Sequence, residues 1–181
     1  NYNKYKRGRT LVIAGSEKYP GAAYLALKGA TSSGAGYISA VLPKIVAKNV
    51  WQFTPEIVLK GTMACNQSGN ASLGSALKNI DLSEYDSLAV GPGIGIDHDD
   101  WHKSQDFLLG FEGLLILDAD ALNRISESKL GSNFFLERKF KTWITPHSKE
   151  FARLFPNIKG DTNIELALSA AEEFNISILL K

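Results

Sequence analysis

The sequence predicts an α/β fold built on a mostly parallel sheet, and three observations predict it. Short β-rich runs at 10–14, 36–42, 87–90, 114–117 and 142–144 alternate with stretches of helical pattern. Each run leads into turn chemistry: Gly15-Ser16, Pro43, Gly91-Pro92-Gly93, Asp118 and Thr145-Pro146-His147. Neither an internal repeat nor a linker divides the 181 residues, so a single domain is expected over 1–181.

The elements follow in order. Residues 10–14 make a first strand, 22–33, rich in Ala and Leu, a first helix, and 36–42 a second strand stopped by Pro43. The stretch 66–82 is Ser-, Asn- and Gly-rich and shows no clear element. Thr145 can cap a helix with Pro146 at its first position, where a missing N–H costs nothing. Thr162-Asn163-Ile164-Glu165 reads as a capping box, opening a helix whose inner face is expected to carry Ile164, Leu168, Ala171 and Phe174. The run 176–180 reads as a buried strand. Domains seldom stop on a core strand, so this chain, which starts at Asn1, is expected to be the front part of a longer domain.

Composition narrows the partners. At 44% hydrophobic and 22% charged the chain has ordinary globular composition and enough length for a core. A net charge of +1 with scattered Lys and Arg gives no basic stripe, so neither nucleic acid nor an anionic membrane is an expected partner. Apolar runs such as 113–117 are too short to span a bilayer. With Cys65 as the lone cysteine no internal disulfide is possible, which fits a reducing, cytoplasmic setting. The N-x-S triplets at Asn66, Asn70 and Asn175 are read as chance. A homo-oligomer is expected, of no size legible in the sequence.

In a parallel sheet the loops leaving the carboxyl ends of the strands form the ligand crevice. Four such loops carry unusual chemistry. In the first, from Ala14 to Ala23, glycines and small residues at a helix start let a ligand approach backbone N–H groups; a tight turn packed on its own sheet is the plainer reading. In the second, Gly91-Pro92-Gly93-Ile94-Gly95 suggests a nest of N–H groups suited to an anion, or a plain loop. It matches neither G-x-G-x-x-G nor a Walker A loop, so neither a dinucleotide-binding Rossmann domain nor a P-loop enzyme is supported. The third, Leu117-Asp118-Ala119-Asp120-Ala121-Leu122-Asn123, puts a carboxylate at the crevice mouth, able to act on a metal-bound phosphate or a substrate hydroxyl. Asp118 is assigned to the site and Asp120 to helix capping. The fourth holds His147, expected in the first turn of its helix with its N–H groups toward the crevice, although a lone histidine is more often structural. His98 and His102 have metal-ligand spacing, but Asp97 reads as a cap and Asp99 and Asp100 as helix-dipole partners, so no metal site is assigned.

Taken in order, AGSxxYPGAA (14–23), VGPGIG (90–95), LDADALN (117–123) and TPHxxEFxRL (145–154) resemble the carbohydrate-kinase-like NAD(P)H-hydrate dehydratases. The run Ser33-Gly34-Ala35-Gly36-Tyr37 matches too, and Leu179-Leu180-Lys181 resembles the start of the family's L-K-G nucleotide segment. The resemblance implies a ribokinase-like, three-layer αβα fold, incomplete at the C-terminus. It implies substrate contacts at Ala22, Gly93 and His147, with Asp118 and Asn123 lining the same crevice, and an adenylate-side role for Lys181. Lys149 stands where the family usually has glycine, and Asn3-Lys4-Tyr5 where it has His-Lys-Gly. The family's Gly-[Thr/Ser]-Gly-Asp motif, which carries the catalytic base, has no counterpart; Lys159-Gly160-Asp161 lacks the upstream glycine and precedes the nucleotide segment. No catalytic residue is therefore assigned within this chain, and the polypeptide alone is expected to be inactive.

The implied reaction repairs hydrated NADH or NADPH. Hydroxide leaves poorly at neutral pH, so the family is thought to phosphorylate the ring hydroxyl from ADP or ATP, with Mg²⁺, and then expel phosphate. Two other readings remain: a small-molecule kinase of the same superfamily, acting for example on hydroxymethylpyrimidine or hydroxyethylthiazole, and a non-catalytic nucleotide- or NAD-binding module.

Overall fold

A computed structural model describes residues 7–181. Asn3-Lys4-Tyr5 lies outside the described residues. Eight strands form one sheet: β1 (Arg9–Ile13), β2 (Tyr37–Pro43), β3 (Val58–Cys65), β4 (Ala71–Ser72), β5 (Ser87–Val90), β6 (Leu114–Leu117), β7 (Thr142–Ile144) and β8 (Ser177–Ile178). Their order is β4-β3-β2-β1-β5-β6-β7-β8, every pair parallel except β3 with β4. The helices are α1 (Pro20–Ser32), α2 (Lys44–Ala47), α3 (Gly74–Leu77), α4 (His98–Gly110), α5 (Asp120–Ser126), α6 (Asn133–Glu137), α7 (Ser148–Leu154) and α8 (Asn163–Phe174). None is long and apolar enough to cross a membrane.

The two periodicities of the sequence build the layers. Along β1, Leu11 and Ile13 enter the larger core under α4 to α8, while Val12 and Ala14 face the smaller core under α1 and α2. Helix α1 seals that smaller core with Ala23 and Leu27, each fully buried. Burying a leucine stabilises by roughly 1.5–3 kcal/mol. The layer is unequal. Val12, Ala89, Ile116 and Trp143 are successive neighbours across the sheet on this face, and exposure rises from 1% at Val12 to 50% at Trp143.

Several expected elements are reproduced to the residue, namely β5, β6 and β7. Others shift. The unplaced stretch 66–82 holds β4, α3 and a one-turn 3₁₀ segment from Leu82. The run 176–180 is an edge strand of two residues, not a buried one: Ile176 is buried but Leu179 is 65% exposed. Helix α8 turns Ala170 and Phe174 inward and leaves Ile164 and Leu168 in solvent, correcting the expected face by about one residue step. Phe174, common to both faces, packs among Phe135 and Phe155 at ring separations of 6.4 and 4.9 Å, and the buried residue one turn before it is Ala170. Thr162 does cap α8, but Glu165 accepts from the Asp161 N–H rather than closing the box on Thr162.

Arg138 ties the base of the sheet together. Its guanidinium donates to the Leu108, Phe111 and Gly113 carbonyls and to Thr142 Oγ1, with no carboxylate partner among the described residues. Burial pulls it down to about 10. Arg138→Met should leave those carbonyls unmet and cost roughly 2–3 kcal/mol, read as a fall in urea midpoint at constant m.

Candidate functional site

Strand order reverses between β1 and β5. From β1 the chain passes through α1 to β2 on one side; from β5 it passes through α4 to β6 on the other. The two outgoing loops therefore diverge and leave a crevice at that point. Because β1, β5, β6, β7 and β8 are parallel, the loops bearing Ala22, Gly93, Asp118, His147 and Lys181 all lie on one rim.

Contacts link these loops in sequence around the rim. The Gly15 N–H donates to the Pro92 carbonyl at 2.8 Å, joining the β1 and β5 loops. Gly93 adopts φ 68°, and a Cβ built on it would stand 2.5 Å from Ala22 Cβ and 2.9 Å from Tyr19 Cβ. Gly91, at φ 132°, meets the β6 loop so closely that a Cβ would overlap the Asp118 carbonyl oxygen. Asp118 Oδ1 accepts from Lys181 Nζ at 2.7 Å, and the Lys181 N–H donates to the Pro146 carbonyl at 2.9 Å, next to His147. Ala22, Gly93, Asp118 and Lys181 are thus brought together, with His147 beside them.

The details correct three expectations. First, the 91–95 loop is not an open nest. The Gly91 N–H goes to Ile13, that of Ile94 to Gly91, and that of Gly95 to Asp120 Oδ2 at 2.8 Å. A carboxylate of the protein already takes the place of the expected anion. Second, Asp120 is consequently not a cap. The N-cap of α5 is Ala119, which makes no side-chain cap bond. Ala119 sits at φ 50°, a strained conformation for a residue with a Cβ. Third, His147 is the N-cap of α7 rather than a first-turn residue, displacing Thr145 from that role. Its Nδ1 accepts from the Lys149 and Glu150 N–H groups, and Glu150 Oε2 accepts from the His147 N–H. That leaves Nε2 as the proton-bearing nitrogen on a half-exposed ring, 3.4 Å from Glu150 Oε1. Asp100 stands in the first turn of α4 as expected of a dipole partner, and it does more. It is buried, accepts from the Leu73 and Gly74 N–H groups, and pairs with Arg124 at 3.1 Å. Asp97 is a cap as expected, accepting from the Asp100 N–H.

Arg124 went unread in the sequence. It is fully buried and its guanidinium donates to the carbonyls of Gly95 (2.7 Å), Ala71 (2.8 Å) and Ile94 (3.2 Å). Burial lowers its pKa, while Asp100, Asp97 and Asp120 oppose that shift. Asn123 lies one residue away: its Nδ2 reaches Asp120 Oδ1 only at 3.5 Å, and its buried Oδ1 has no hydrogen-bond partner. Two open hollows lie elsewhere. They measure about 470 and 810 Å³ and open at the opposite rim, around Tyr85, Phe111 and Gly113, and around Leu114 and Thr142.

Comparison with known proteins places this arrangement. Residues 10–181 match the family model described as NAD(P)H-hydrate dehydratase. The "bifunctional NAD(P)H-hydrate repair enzyme Nnr" of Synechocystis is 35% identical over 179 residues, covering 99% of this chain and 33% of that protein. Its counterpart in Gloeobacter violaceus is also 35% identical, over 99% of this chain and 34% of its own length. The chain spans about a third of the length of these curated relatives. Among solved structures, the ADP/ATP-dependent NAD(P)H-hydrate dehydratase of Bacillus subtilis, co-crystallised with ATP and Mg²⁺, superposes with TM-score 0.76 at 27% identity, over all of this chain and 60% of that one. A ribokinase-like superfamily protein of Enterococcus faecalis superposes with TM-score 0.75 at 22% identity, over all of this chain and 60% of that one, and shows the fold. The chain belongs to the NAD(P)H-hydrate dehydratase family and has its ribokinase-like α/β fold.

The loop contacts make two opposite mutational effects expected. Gly91→Ala should cost roughly 3 kcal/mol or more, through the Asp118 overlap. Ala119→Gly should stabilise by about 1 kcal/mol, by releasing the strained φ. Thermal or urea unfolding reads both, with Gly110→Ala as the control for a methyl that meets nothing: in helix α4 it should stabilise by about 0.5–1 kcal/mol.

Proposed function

We propose that this chain carries the substrate-side half of a nucleotide-dependent dehydratase that returns hydrated NADH or NADPH to NADH or NADPH. The contact of Gly93 with Ala22 at the strand-order reversal is the observation that carries the reading. Where two loops meet with only a hydrogen and a methyl group between them, a flat ring can lie against backbone. Gly93 keeps its own N–H for a ligand, because the carbonyl of the same peptide unit, that of Pro92, points to Gly15.

The other candidates have roles their surroundings suit. His147 offers an Nε2–H donor to a substrate oxygen, its ring fixed by the amides it caps. Asp118 and Lys181 form a partly exposed pair. A nucleotide phosphate would compete for the ammonium, and Mg²⁺, which keeps several waters and needs only one or two carboxylates, for Asp118. When bound, the nucleotide and Mg²⁺ supply the phosphoryl group and neutralise its charge. The chain's own groups hold the damaged ring, orient its hydroxyl and exclude water.

Titration calorimetry with hydrated NADPH tests this. The chain should bind it. His147→Asn should keep the cap, leaving stability within about 0.5 kcal/mol, yet weaken binding at least about tenfold, or roughly 1.4 kcal/mol. Preferential binding of hydroxymethylpyrimidine or hydroxyethylthiazole would favour a small-molecule kinase instead.

A further inference from the structure

We propose that Arg124 is a positioning residue for the substrate loop, acting with Asp100 and Asp120 to fix the orientation of the 91–95 peptides. The proposal rests on the reading of Gly93 and Ala22 as substrate contacts. It names a residue that touches no substrate and yet sets the shape of the surface that does.

The peptide geometry carries the argument. In a trans peptide the carbonyl and the next N–H point in opposite directions, so holding one fixes the other. The 94–95 peptide is held at both ends: its carbonyl accepts from Arg124 and its N–H donates to Asp120. The 95–96 peptide is held through its carbonyl by Arg124 Nε at 2.7 Å. Arg124 also reaches Ala71, whose own N–H returns to the Ile94 carbonyl at 2.8 Å, so the strand beside the loop joins the same clamp. Asn70 closes the remaining side, donating to the Ile96 carbonyl at 2.6 Å. With the Gly95 side anchored and Pro92 held by Gly15, Gly93 has no freedom to rotate away from Ala22.

The arginine is specific to the task. One planar fork spans three carbonyls and a carboxylate; a lysine ammonium could keep the charge beside Asp100 but could not span them all. Asp100 makes the buried cation tolerable and is itself held by two backbone N–H groups. Arg138 supplies the internal comparison. It is also buried and also grips backbone carbonyls, but at the opposite rim of the sheet.

The experiment compares Arg124→Lys with Arg138→Lys in the whole chain. Three readouts are taken: urea midpoint, affinity for hydrated NADPH, and amide exchange under native conditions. Both variants should lose stability. Only Arg124→Lys should weaken binding at least tenfold and accelerate exchange at Gly95 at least tenfold. Equal effects of the two variants on binding and exchange would overturn the proposal, since that is what a purely structural arginine gives. If the wild-type chain does not bind hydrated NADPH, the substrate reading fails, while exchange at Gly95 still decides the clamp. Should Arg124→Lys not fold, the charge-neutral pair Arg124→Met with Asp100→Asn removes the buried ions together, and the same contrast with Arg138→Lys applies.

Discussion

The site depends on backbone meeting backbone. At Gly91 there is room for a hydrogen and nothing larger beside the Asp118 carbonyl, and at Gly93 the neighbour is the Ala22 methyl. These approaches bring the loops after β1, β5 and β6 to one rim with little side chain between them. They also fix where strain collects. Ala119, just past the point of closest approach, adopts a positive φ that its Cβ disfavours. Such strain persists only where the surrounding structure holds it, and here α5 begins at the next residue and is anchored through Arg124.

Polar groups inside the protein serve this geometry. The two buried arginines grip carbonyls at opposite rims: Arg138 where the strands begin, Arg124 where the crevice loops leave. Only Arg124 has a carboxylate against it. A cation beside the crevice is thereby largely spent on internal partners, while the exposed Lys181 remains the cation at the rim paired to Asp118.

Much of the fold was legible in the sequence because it rests on local pattern. The strands β5, β6 and β7 are continuous β-rich runs ending in unmistakable turn residues, and they match to the residue. The loops that the motif order singles out lie on one rim. What escaped has a common cause, contacts between residues far apart in the chain. Nothing near Arg124 announces that its partners are Ala71, Ile94, Gly95 and Asp100. Asp120 resembles a cap by position and turns out to hold Gly95, 25 residues earlier. Helix α7 starts two residues later than a Thr145 cap implies, because imidazole is an uncommon cap and Thr145 has the commoner chemistry. On α8, periodicity points to the stripe through Ile164, Leu168 and Ala171, whereas the inward stripe ending at Phe174 runs through Ala170.

A titration of backbone amide resonances with hydrated NADPH tests the central claim most directly, that the crevice loops form one substrate surface. The account predicts that the largest, saturable shifts fall together on Gly21, Ala22, Gly93 and His147. Shifts confined to the opposite rim, around Gly113 and Arg138, would contradict it, as would shifts on only one of these loops.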